Sequence, residues 1–295
     1  MTHKGLMLVV LVVALASTSG PLPEAVANEC PPVRKFGPGH FSTDHQWEWR
    51  LTFSPSRLTA YWSVSDESYP PGSNVKVTIV TSHWRPSGWT PPTVAPFSGA
   101  HTDIDPFITL DGRRLYFSSN RPVEGEQRTE TDLWVVHRTN RGWSPPVNLG
   151  PAVNSPGNEL YPSADLWGNL YFGSDREGQW DIWRSSVRFD GSYRPAEKIG
   201  PGVNTDFWEF NPEISPDGRM LLFASAGRAD SFGDVDLYVS RLAHGRFGRA
   251  ENLGACVNTA ASEFHPTVLW ERRQLVFVRV GATGDFYVTP LRVPR

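Results

Sequence analysis

One pattern recurs along this chain: an acidic residue, a proline three positions later, a turn, and an apolar triplet. Its clearest copy reads VNTDFWEFNPEISPDGRMLLFAS over residues 203–225, with variants VNSPGNELYPSADLWGNLYFGS from Val153 and VNTAASEFHPTVLWERRQLVFVR from Val257. The acidic positions Glu48, Asp103, Glu159, Glu209 and Glu263 lie 55, 56, 50 and 54 residues apart, and Pro106, Pro162, Pro212 and Pro266 follow four of them. A period near fifty residues marks a unit that cannot bury its apolar face alone and must stack on its neighbours. The chain is therefore read as an array of five such units.

Each unit carries the same order of strand signals. A first strand ends in a turn such as Ser215-Pro216-Asp217-Gly218 or Leu110-Asp111-Gly112, with Leu166-Trp167-Gly168 as a degenerate form; Asp-Gly pairs suit tight turns that need positive φ. An apolar second strand follows, as Leu115-Tyr116-Phe117, Leu170-Tyr171-Phe172, Leu221-Leu222-Phe223 and Leu275-Val276-Phe277. A third strand opens on Asp132, Asp181, Asp236 or Asp285, where an Asx-turn to the local backbone would explain the aspartate. A fourth, proline-rich strand belongs at a sheet edge. Four strands with the edge strand last make a propeller blade, and no segment has a sustained helical period.

The ends of the chain set the blade count. After the last third strand, Asp285 to Thr289, only six residues remain, too few for a fourth strand. That strand is found at the other end, where Pro32-Val33-Arg34-Lys35-Phe36-Gly37-Pro38-Gly39 aligns without a gap on Pro195-Ala196-Glu197-Lys198-Ile199-Gly200-Pro201-Gly202. The expected fold is an all-β, five-bladed propeller of four-stranded blades closed by its N-terminal strand, with six blades as the alternative. Cys30 and Cys256 would fall toward opposite faces of a blade, so two free thiols are expected.

The repeat resembles the TolB-type, WD-repeat-like β-propeller repeats of exported bacterial proteins, over nearly the whole chain after its leader. Glu209, Pro212, Ser215, Pro216, Asp217, Gly218 and Phe223 match that motif in the fourth unit, and Arg121 and Arg176 match its arginine after the second strand. Six blades are common in that family, and five copies are a departure. The resemblance implies a fold more than an activity, since such repeats serve scaffolding, peptide handling and glycan chemistry.

Lys4, the apolar run Leu6 to Ala16 and the small residues of Ala25-Val26-Ala27 read as an export signal over 1–27, leaving 28–295 as one propeller domain in the periplasm or outside the cell. No run approaches the roughly 20 apolar residues of a membrane span. Net charge of −3, spread along the chain, gives no electrostatic footprint for nucleic acid. There is no G-x-S-x-G, no Gly-rich phosphate loop and no short metal-ligand spacing, so no cofactor or metal is assigned.

Residues just before an inner strand should ring the channel mouth, which makes Glu48, Asp103, Glu159, Glu209 and Glu263 the candidate ligand-binding carboxylates. Beside them stand His101, Tyr161, Trp208 and His265, with Arg121 and Arg176 as cationic partners. Aromatic faces with carboxylates suit a sugar or another small polar ligand, because rings stack on pyranose faces while acids bond hydroxyls. A residue present in every blade has a second explanation, a hydrogen-bonding duty at the junction between blades. The reading is a binding or scaffolding module for a small polar ligand, a glycan or a protein or peptide partner. The alternative is a glycan-active enzyme with Glu48, Asp103 and Glu159 as catalytic candidates, in positions loosely similar to those of five-bladed arabinanase-like and levansucrase-like glycosidases.

Overall fold

The computed structural model describes residues 30–71 and 73–294; the expected export signal, 1–27, lies outside them. Residues Pro31–Arg295 form one compact unit. Its strands make five antiparallel sheets, four of them built in sequence order from the inside outward and the fifth completed by the N-terminal strand, and the only helical segment among the described residues is a 3-10 turn at Trp270–Arg272. The inner strands are Trp47–Phe53, Asp103–Ile108, Glu159–Ala164, Trp208–Ile214 and Glu263–Leu269. These are the blades of a five-bladed propeller, numbered here one to five from Trp47.

Two-sided burial explains why the second strands are continuously apolar. Side chains alternate between the faces of a strand, and here both faces meet a neighbouring blade. Leu115 and Phe117 pack with Tyr61 and Ile79 of blade one, while Tyr116 packs with Leu170 and Phe172 of blade three. The same division gives one apolar cluster for each of the five junctions. A surface sheet would have needed polar residues at alternate positions.

The turn chemistry is as the sequence demands. In Ser215-Pro216-Asp217-Gly218, the Ser215 hydroxyl donates to Asp217 Oδ1 at 2.6 Å, and Gly218 sits at φ 63°. The aspartates that open the third strands do more than make local turns. Asp132 and Asp236 accept from Asn148 and Asn252 at 2.8 Å, and Asp181 and Asp285 pair with Lys198 and Lys35 at 2.6 and 2.9 Å. Each partner lies on a fourth strand only two residues long. Two backbone pairs hold such a strand weakly, and the side-chain tie anchors it from the third.

Blade five takes its outer strand from Arg34–Lys35, which pairs Arg34 with Val288 and Lys35 with Tyr287. Beyond it the Phe36 N–H donates to Phe286 O at 2.8 Å, and Ser42 Oγ both donates to Phe286 O and accepts from Phe286 N. One point corrects the sequence expectation: Cys30 and Cys256 are not free thiols but disulfide-bonded. An expectation of opposite faces holds only if the edge strand is long enough to span the blade. The strand has two residues, so Pro31 to Val33 lie outside the ladder and Cys30 is not held at its far end.

Ring closure by a two-residue strand predicts a sharp dependence on it. Deleting residues 31–38 uncovers the edge of Gly284–Pro290 and exposes an unpaired strand to other chains. The expected outcome is a lower melting temperature with aggregation, read by thermal unfolding and light scattering; a monomeric product with unchanged melting would contradict closure.

Candidate functional site

The five repeated carboxylates are buried, each inside its own blade, and no hydrogen bond or ion pair among the described residues joins one to another. Their partners repeat. Glu159, Glu209 and Glu263 each accept from the backbone N–H and hydroxyl of Ser155, Thr205 and Thr259, four residues earlier, with hydroxyl bonds of 2.5 to 2.6 Å. Each also meets an arginine at the end of the second strand: Arg176 at 2.9 Å, Arg228 at 2.8 Å and Arg279 at 2.7 Å. Asp103, one carbon shorter, takes the Ser98 hydroxyl and Arg121 at 2.6 Å.

The arginines make a second connection. Their guanidinium groups also donate to the carbonyls of Phe97, Val153, Val203 and Val257 in the connector, and they lie over rings of the second and third strands, such as Phe172 and Trp183. The connector is held from its other side by Asn154, Asn204 and Asn258, whose amides bond the backbone of Leu133, Ile182 and Leu237 in the preceding blade. The Val-Asn-Ser/Thr string before Glu159, Glu209 and Glu263 is therefore the joint between blades. Arg121 and Arg176 make the corresponding contacts in blades two and three, and His101 lies half-buried two residues before Asp103.

Glu48 differs from the other four. It accepts from Thr43 N and Oγ1, has no arginine, and keeps Oε2 buried without a hydrogen bond. Burial pushes its pKa up to about 8 against the pull of the Thr43 bonds, with Asp285 adding to the rise and Lys35 opposing it.

The side chains that do converge come two residues after each acid: Arg50, Asp105, Tyr161, Asn211 and His265. Every inner strand shifts register there, between Trp49 and Leu51 in blade one and at the equivalent places elsewhere. In four blades the cause is visible in the sequence. The next residue is proline, which cannot donate to the ladder, so a bulge forms, and the residue before it turns to positive φ: Asp105 59°, Tyr161 63°, Asn211 52°, His265 48°. Contacts then cross the ring. Arg50 pairs with Glu213 at 2.5 Å and donates to Pro212 O, while His265 Nδ1 lies 3.4 Å from Asp105 Oδ1 and 3.2 Å from Asn211 Nδ2. Burial raises Asp105 and Glu213 to about 7, opposed in each by the Arg50 charge, and pushes His265 well below its ordinary value.

This layer divides the channel. On one side a small cavity of about 90 Å³ is lined by Arg50, Glu213, Phe107 and Trp270. On the other, a cleft of about 500 Å³ opens between aromatic walls. One wall is a stack, Trp47 on Trp49 at 5.5 Å and 17° and Trp49 on Phe264 at 6.1 Å and 21°. Facing it are Tyr161, Trp180 and Phe210, with ring centroids 5.7 and 5.9 Å from Tyr161. Pro70, Pro71 and Trp208, the last 54% exposed, are on its lining, and His265 and Asn211 supply polar groups. Of the residues singled out in the sequence, Tyr161, Trp208 and His265 meet here. None of the described residues lining the cleft is Asp or Glu. Arg50, Asp105, Asn211 and Glu213 were not anticipated, although the position before the proline is where the repeats differ most in chemistry.

The isolated acid gives a pH signature. Glu48 ionises near 4.5 when exposed and near 8 in the fold, so the folded state holds the extra proton between those values. Its stabilising contribution is full below the lower value and is lost as pH rises through the higher one; Asp105 and Glu213 act in the same direction. Between about pH 6.5 and pH 8.5, above the range in which the depressed His265 and His40 act in the opposite sense, the melting temperature is expected to fall, and Glu48→Gln to flatten that slope. A wild-type curve that rises over this range would refute the assignment.

Comparison with known proteins supports the fold and no more. No family model matches the chain, and no curated protein does. Among solved structures, a GH43 endo-arabinanase from Bacillus licheniformis aligns with TM-score 0.50 and 14% identity over 85% of this chain and 95% of that one. A glucose dehydrogenase aligns with TM-score 0.49 and 13% identity over 88% of this chain and 99% of that one. A puromycin-hydrolyzing peptidase of Mycobacterium tuberculosis gives 0.48 and 13% over 88% of this chain, which spans only 38% of the peptidase. At such identities the similarity is that of β-propellers to one another.

Proposed function

We propose that the chain is an exported binding module whose site is the aromatic cleft at the channel mouth, and that its ligand is a small, ring-bearing polar molecule, a glycan residue being the simplest. The observation that carries this reading is the composition of the cleft: two facing aromatic walls about a few polar groups, with no carboxylate among the described residues of the lining. Its volume of about 500 Å³ is that of a small-molecule pocket. Stacked aromatic contacts contribute about 0.5–1.5 kcal/mol each beyond area burial. Export accords with the leader sequence and with the disulfide, a bond that persists in oxidising compartments.

The glycan-active alternative needs two carboxylates about 5–9.5 Å apart across the scissile bond. Glu48, Asp103 and Glu159 are instead engaged in separate blades, which favours binding over hydrolysis.

Titration of the protein with neutral oligosaccharides, followed by tryptophan fluorescence and calorimetry, tests the proposal. Trp208→Ala and Trp47→Ala are expected to weaken binding about tenfold each, close to 1.4 kcal/mol. The exposed Trp208 should be replaceable without change in melting temperature. Binding that survives both substitutions would place the site elsewhere, and turnover abolished by Asp103→Asn or Glu159→Gln at unchanged stability would favour the enzyme.

A further inference from the structure

The polar floor of the cleft has a fixed hydrogen-bonding sense. Asn211 Oδ1 accepts the His265 backbone N–H at 3.2 Å, which settles the orientation of the amide. Its Nδ2 therefore faces His265 Nδ1 at 3.2 Å as a donor, and Nδ1 must accept. The proton of the neutral ring is left on Nε2. His265 is 3% exposed and lines the cleft, and no hydrogen bond among the described residues engages Nε2. The ring is held upright by edge-to-face contacts with Trp49, Tyr161 and Phe264 at 5.9, 5.5 and 5.2 Å.

Asp105 agrees with this arrangement. It is fully buried, no side-chain hydrogen bond among the described residues engages its carboxyl group, and Oδ1 lies 3.4 Å from the accepting Nδ1. An ionised Asp105 would set a charged acceptor against the bare Nδ1, whose one lone pair is taken by Asn211; the neutral acid removes that clash. Burial raises the group toward the protonated form, opposed by Arg50 and the Tyr161 backbone.

We propose that His265 is the specificity-determining residue of the cleft, offering Nε2–H to an acceptor oxygen of the ligand, with Asn211 as the positioning residue that keeps the proton on that nitrogen. This rests on the cleft being the binding site. The favoured ligand stacks on the half-buried rings of the cleft walls, such as Trp47 and Phe264, and turns a hydroxyl, ether or carbonyl oxygen to the floor; a ligand that presents an ammonium group there meets a donor and is rejected.

The test uses the whole chain with 15N-labelled histidine and neutral tetrasaccharides of glucose and of xylose as probes. Ring nitrogen shifts near pH 6 should show His265 with Nδ1 bare and Nε2 protonated; the opposite tautomer overturns the proposal. Asn211→Asp keeps the shape, the positive-φ tolerance and the acceptor for His265 N while replacing the donor to Nδ1 by an acceptor. It should invert the tautomer and weaken tetrasaccharide binding at least about tenfold, the scale of a lost hydrogen bond with an unsatisfied group. His265→Asn, also tolerant of positive φ but too short to reach, should weaken binding equally. If Trp208→Ala weakens binding and His265→Asn does not, the cleft stands as the site and this inference fails; if neither matters, both fail.

Discussion

The buried carboxylate that ends each connector is the interaction on which the ring depends. A blade has little to hold it beyond its two faces, and those are shared with its neighbours. Glu159, Glu209 and Glu263 bind connector hydroxyl, connector N–H and an arginine of their own second strand at once. Such a charge would be costly to bury alone and is tolerable because most of its lone pairs are satisfied. Removing one partner leaves the other stranded, so the motif persists as a set: Asn, Ser or Thr, acid, then arginine. Blade one lacks the arginine, and its Glu48 lies beside the chain closure through Thr43 and Lys35.

Because the acids hold the joints, other residues are left to face the channel. A register shift at the bulged position, enforced by proline in four of the five blades, turns one side chain per blade inward, at a place the joint chemistry does not constrain. Arg, Asp, Tyr, Asn and His stand there in turn. A repeat built this way keeps its joints constant and varies its centre.

Much of the fold was legible in sequence because its signals are local and repeated. Period, turn glycines and apolar triplets each dictate a neighbourhood, and Arg34–Lys35 was found by direct alignment with Glu197–Lys198. The cleft was legible only in part. Tyr161, Trp208 and His265 were visible as breaks in the repeat, but the acids beside them drew attention by recurring, and recurrence reports what all blades need. Asp105, Asn211 and Arg50 acquire meaning only when bulges bring blades one, two, four and five within hydrogen-bond reach. No one-dimensional spacing encodes that meeting. The disulfide was missed for a similar reason, since the length of an edge strand is decided by its partner.

The Arg50–Glu213 pair has a geometric consequence of its own. It lines the small cavity, and none of the described residues lines both that cavity and the cleft. What would be a tunnel is a blind well. A molecule that enters from the aromatic face must leave by the same lip, past Trp208, Pro70 and Pro71, so its residence is governed by that rim and not by passage through the ring. A polymer cannot be threaded; it can dip one unit or one end into the well, and the remainder must lie across the top of the blades.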